Sequence, residues 1–96
     1  MNIITAQDLK QKLQANEPVQ LVDVREPFEH EHDPVGGVNI PMDQLANDVS
    51  RLEKEIPVVL YCNTGKRSGA TLMAIEKKWG LKNCMSLQGG AEGFDQ

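Results

Sequence analysis

The residues with the clearest chemical potential lie in one short stretch, Cys62-Asn63-Thr64-Gly65-Lys66-Arg67-Ser68, directly after the apolar run Val58-Val59-Leu60-Tyr61. The order is strand, cysteine, polar loop, helix. In an open α/β sheet, ligands collect outside the carboxyl ends of the strands, and Cys62 stands at such an end. Successive backbone N–H groups in a tight loop form an anion nest, the helix that follows adds its positive end, and Lys66 and Arg67 add formal charge. Each of these favours a thiolate over a thiol, so Cys62 is expected to be a nucleophile. Gly65 suits the unusual backbone angles of such a cradle, and Ser68 is placed to cap the helix. The competing reading is a structural cysteine packed at a strand end.

The elements that must position this loop are legible on either side of it. Thr5, with Asp8 three residues on, starts a short helix to about Asn16 that carries Ala6, Leu9 and Leu13 inward. Val19 to Val24 is an apolar run of strand length, buried on both faces, and ends at Arg25-Glu26. Pro27 opens a short helix over Phe28 to His32, and Pro34 with Gly36-Gly37 breaks the chain. Val38 to Ile40 is a short strand. Leu45, Val49 and Leu52 predict an amphipathic helix from Met42 to Glu55, stopped by Pro57. After the Cys62 loop, Leu72, Ile75 and Trp79 share one helix face, Lys77 and Lys78 suit its last turn and Gly80 its end. A last strand over Asn83 to Leu87 closes at Gly89-Gly90. This alternation predicts a three-layer α/β/α fold around a mostly parallel central sheet, in one domain spanning 1–96 without repeats or linkers.

Composition narrows the function. The chain has 96 residues, 40% apolar and 25% charged, which excludes intrinsic disorder. No apolar run spans a bilayer and Met1 to Lys12 is not a signal peptide, so no membrane is expected and the cytoplasm is the default address. A net charge of -4 argues against nucleic acid. Cys62 and Cys84 are expected as free thiols. Cys84 reads as core, with a resolving disulfide to Cys62 as the alternative. Asp23 and Arg25 fall on one face and are expected either as a structural ion pair or as a hydrogen bond to a loop backbone, with Arg25 a secondary site candidate. Glu29, His30, His32 and Asp33 lack metal-ligand spacing and read as a solvated acidic turn, so no metal or other cofactor is expected. Met42, Met73 and Met85 read as gap-fillers and Trp79 as a helix-to-sheet anchor.

Three segments together resemble the rhodanese-like domains, single-domain sulfurtransferases. They are Leu21 to Pro27 with Glu29 and Gly36 to Pro41, then Val59 to Ser68, then Leu87 to Phe94. The chain departs from the family where His32-Asp33-Pro34 replaces the usual Gly-His-Ile and where Phe94 replaces the usual Trp. The resemblance implies that Cys62 takes the outer sulfur of thiosulfate or a similar donor as a persulfide and passes it to cyanide or a thiol, a protein thiol included. It further implies that the loop amides of Asn63, Thr64, Gly65, Lys66, Arg67 and Ser68 hold the persulfide, with Lys66 and Arg67 attracting the donor. Only four residues, Asn63 to Lys66, separate Cys62 from Arg67. The related cell-cycle phosphatases have a longer loop, so sulfur transfer is favoured over a phosphatase or arsenate reductase. A non-catalytic or sulfur-relay interaction module remains the alternative of a different class.

Overall fold

The computed structural model describes residues 2–33 and 35–94. Five strands and five helices alternate: β1 Ile3–Ile4, α1 Ala6–Gln14, β2 Gln20–Asp23, α2 Pro27–His32, β3 Val38–Asn39, α3 Met42–Asn47, β4 Val58–Tyr61, α4 Lys66–Trp79, β5 Cys84–Leu87 and α5 Gly90–Phe94. The strands form one sheet in the order β1-β5-β4-β2-β3, and every pairing among the described residues is parallel. All carboxyl ends therefore lie on one edge, with β4 in the centre. The register places Leu60 beside both Val22 and Ser86.

Alternation along the strands sorts the apolar residues onto two faces. Val22, Val58, Leu60 and Cys84 pack with Leu45 of α3 and with Leu72 and Ile75 of α4. On the other face Leu21, Val59, Tyr61 and Leu87 pack with Leu9 of α1 and Ala91 of α5. This is the expected three-layer α/β/α arrangement. No helix among the described residues is long and apolar enough to cross a membrane.

Several local expectations are corrected. The helix expected to reach Glu55 stops at Asn47, because Asp48 adopts an extended backbone and its carboxylate accepts the Ser50 N–H at 2.9 Å. Such Asx turns compete with helix, and Leu52 still reaches the core from the turn. Trp79 is not a sheet anchor: it is 36% exposed, with Lys78 Nζ 4.5 Å from its ring centre. Met73 is likewise on the surface, whereas Met42 and Met85 pack against the core. Two elements carried no sequence signal. The strand Ile3–Ile4 is too short for a pattern, and Gly90, expected to close a strand, instead opens a short helix. The break expected at Pro34 lies outside the described residues.

Candidate active site

Cys62 follows the last residue of β4, and its sulfur is aimed at the start of α4. The amide of Gly65 donates to Sγ at 3.1 Å and that of Ser68 at 3.3 Å. The first amides of a helix have no partner within it. Here Gly65, at φ 100°, reverses the chain so that they converge on the sulfur, which takes the place of a capping side chain. Ser68 is therefore not the cap. It lies in the first turn of α4, where its hydroxyl is within reach of Gly65 O at 3.2 Å, of the Cys62 sulfur at 3.7 Å and of Ser86 Oγ at 2.7 Å.

The amides face inward because the carbonyls are held outward. Cys62 O accepts from Ala91 N at 2.8 Å and Asn63 O from Glu92 N at 3.0 Å, both in α5. Gly90, at φ 59°, permits this approach, since a Cβ there would run into Cys62 O and the Asn63 carbonyl. The closing Gly89-Gly90 pair is thus the back wall of the cradle, a role its sequence position alone did not disclose.

The sulfur is buried, only 1% of Cys62 being exposed. Burial pushes its thiol up, but the Ser68 amide and hydroxyl and the Gly65 and Thr64 amides together outweigh that, and hold the thiol below its ordinary value of 9.0. Cys62 thus belongs to the hydrophobic cluster and to an anion nest at once. Cys84 sits opposite Val58, four residues before Cys62. At about 3.3 Å per strand residue that is roughly 13 Å along the sheet, beyond the reach of a disulfide.

The charged side chains form one connected network under and beside the loop. Asp23 and Arg25 are fully buried and paired, Arg25 Nε lying 3.0 Å from both carboxylate oxygens and Nη2 2.8 Å from Oδ2. Burial alone raises the Asp23 carboxyl, yet Arg25 and His30 bring it below its ordinary value. His30 Nδ1 lies 2.8 Å from Asp23 Oδ2. Arg25 also donates to Asn63 Oδ1 at 2.8 Å, so the expected ion pair holds the loop as well. Asn63 in turn donates to Glu29 Oε2 at 3.1 Å.

Glu29 and His30 are not part of a solvated turn. Glu29 takes both Nη groups of Arg67, at 2.9 and 2.8 Å, and this pairing holds its carboxyl down at about 2. Arg67 is correspondingly raised. Arg67, expected to attract the donor, is therefore matched by a carboxylate, while Lys66 is exposed and makes no ion pair among the described residues. Thr64 is exposed, its hydroxyl 3.5 Å from Lys66 N. A cleft of about 300 Å³ adjoins the loop, lined by Phe28, Glu29, His32, Asp33, Asn63 and Glu92 among others. Sequence reasoning missed Glu29, Ser86, Gly90 and Ala91. Only the spacing from Arg25 to Glu29 and the Gly89-Gly90 pair carried any signal of them.

A parallel sheet with a cysteine nest at the carboxyl end of its central strand defines a class of α/β domain built around a strand-end thiol. The Rhodanese-like domain family matches residues 5–96, and the chain belongs to that family. It is similar to the probable adenylyltransferase/sulfurtransferase MoeZ of Mycobacterium tuberculosis, with 34% identity over 90 residues, covering 91% of this chain and 23% of that protein. The chain thus spans less than a quarter of that relative's length. A sulfurtransferase of Allochromatium vinosum is 31% identical over 91 residues, covering 94% of this chain and 84% of the relative. The crystal structure of a rhodanese-like domain protein from Staphylococcus aureus superposes with a TM-score of 0.86 at 29% identity, covering 98% of this chain and 91% of that one.

Proposed function

We propose that the chain is a sulfurtransferase that carries sulfane sulfur on Cys62. The observation that supports this most is the pair of amides, Gly65 and Ser68, aimed at a buried sulfur whose ionisation they favour. With thiosulfate as donor, the Cys62 thiolate attacks the outer sulfur. A bond forms between Sγ and that sulfur, the bond to the sulfonate sulfur breaks, and the electron pair leaves on sulfite. The transferred sulfur keeps its negative charge, and the loop amides of Asn63 to Ser68 stabilise it as preorganised dipoles. Cyanide or an acceptor thiolate then attacks that outer sulfur, and Cys62 is released as thiolate. Lys66 attracts an anionic donor toward the loop. A protein thiol is an acceptor of the same kind, and the unpaired Cys62 and Cys84 suit a reducing cytoplasm.

The spacing of four residues between Cys62 and Arg67, and the engagement of Arg67 by Glu29, both disfavour a phosphatase, which needs a free guanidinium for phosphate. The near-complete burial of Cys62 is the one observation favouring an inert or relay module. Mass spectrometry of the thiosulfate-treated protein separates the readings. The peptide bearing Cys62 gains one sulfur atom, cyanide removes it as thiocyanate, and Cys62→Ala abolishes both. Failure of every sulfane donor to load Cys62 would overturn the enzyme reading.

A further inference from the structure

Arginine presents a planar fork that fits two oxygens of an oxyanion. In this loop the Nη1/Nη2 edge of that fork is already taken. Both Nη groups of Arg67 lie on Glu29, and the Glu29 carboxylate is itself saturated: Oε1 also accepts from Glu26 N at 3.2 Å and Oε2 from Asn63 Nδ2 at 3.1 Å. Four donors and the short helix α2 fix the carboxylate against the Nη edge of Arg67. The adjoining cleft is lined by the acidic residues Asp33 and Glu92 and by Arg25, whose guanidinium is held by Asp23, Asn63 Oδ1 and Asp33 O. The nest at Cys62 thus binds one negative sulfur through amides, while the Nη edge of Arg67 beside it already faces a carboxylate rather than a second anionic group.

We propose that Glu29 is a positioning residue that sets donor specificity, biasing the site toward alkyl persulfides and against thiosulfate with its charged sulfonate. The proposal rests on the sulfurtransferase reading. In the favoured step the Cys62 thiolate attacks the terminal sulfur of R–S–S–H. The bond from Sγ to that sulfur forms, the donor S–S bond breaks, the proton stays on the transferred sulfur, and the electron pair leaves as the thiolate of R–S. No oxyanion departs, so no guanidinium is required.

The test compares loading of Cys62 from glutathione persulfide and from thiosulfate, as kcat/KM, in the full chain and in E29Q. The wild-type protein prefers the persulfide. In E29Q the preference shifts about tenfold toward thiosulfate, the scale of one charge-assisted hydrogen-bonding partner, and chiefly through a lower KM for thiosulfate. E29D, which keeps the charge, keeps the wild-type preference, and the gain disappears in E29Q/R67M. An unchanged ratio in E29Q, or equal loss with both donors, overturns the proposal and leaves Glu29 a purely structural residue. Sulfate decides the matter in the wild-type protein should E29Q not fold: it does not compete with loading, and strong inhibition by sulfate would show a free fork and overturn the proposal. A wild-type protein that neither donor loads would instead remove the sulfurtransferase reading, and the proposal with it.

Discussion

Cys62 and Cys84 belong to one hydrophobic cluster, Cys84 opening β5 and Cys62 following the adjacent parallel strand β4, and both are almost completely shut from solvent. Their thiols nevertheless move in opposite directions. Burial pushes Cys84 up to about 11, with Glu76 adding to it, whereas Cys62 is held below 9.0. The difference lies in which end of the sheet each occupies. Cys84 opens β5, where its neighbours are side chains of the core. Cys62 follows β4, where the unpaired first amides of α4 supply donors. Desolvation alone raises a thiol, and fixed dipoles beside it bring it back below its ordinary value.

The comparison breaks most severely where the network beneath the Cys62 end is cut. Arg25→Ala leaves the buried Asp23 carboxylate without its guanidinium and costs about 3–5 kcal/mol in denaturant unfolding, since it strands a charge. Next in size is Gly90→Ala. Its Cβ cannot coexist with Cys62 O, so the loop shifts, stability falls by about 2–3 kcal/mol, and the Cys62 thiolate titration moves upward while that of Cys84 stays. Cys84→Ser places a hydroxyl among apolar side chains and costs about 1–2 kcal/mol, yet leaves the Cys62 titration where it was. The smallest effect is acid dependence at Glu29. Its carboxyl is lower in the folded chain than the ordinary 4.5, so its pairing stabilises the fold above about 4.5 and is lost as pH falls toward 2. With Arg67 over a third exposed, the difference between wild type and E29Q is below about 1 kcal/mol at neutral pH and vanishes near pH 2.

The order of elements and the loop were legible because they depend on local signals. The run Val58 to Tyr61, the capping Thr5, the unusual backbone of Gly65, and Gly80 at the end of α4 are each found in place, the Thr5 hydroxyl accepting Asp8 N at 3.1 Å, whereas the cap expected at Ser68 is not. What stayed hidden depends on pairs distant in sequence. Glu29 meets Arg67 across 38 residues, and the Gly90 turn meets the Cys62 carbonyl across a whole helix and strand. Periodicity misled where an apolar pattern was met by non-helical backbone. Val49 and Leu52 keep helical spacing from Leu45, yet Asp48 ends α3 and a turn delivers Leu52 to the core. Trp79 failed for a related reason, since it lies in the last turn of α4, past the part of the helix that covers the sheet.

The central claim is that backbone amides, rather than exposure, set the state of the Cys62 sulfur. Ultraviolet titration of thiolate absorbance in the wild-type protein, Cys62→Ala and Cys84→Ala tests it directly. The account predicts two separate transitions: one below 9.0 that disappears in Cys62→Ala and persists in Cys84→Ala, and one near 11 with the opposite dependence. Both thiols ionising together above 9.0, or the early transition surviving in Cys62→Ala, would contradict it.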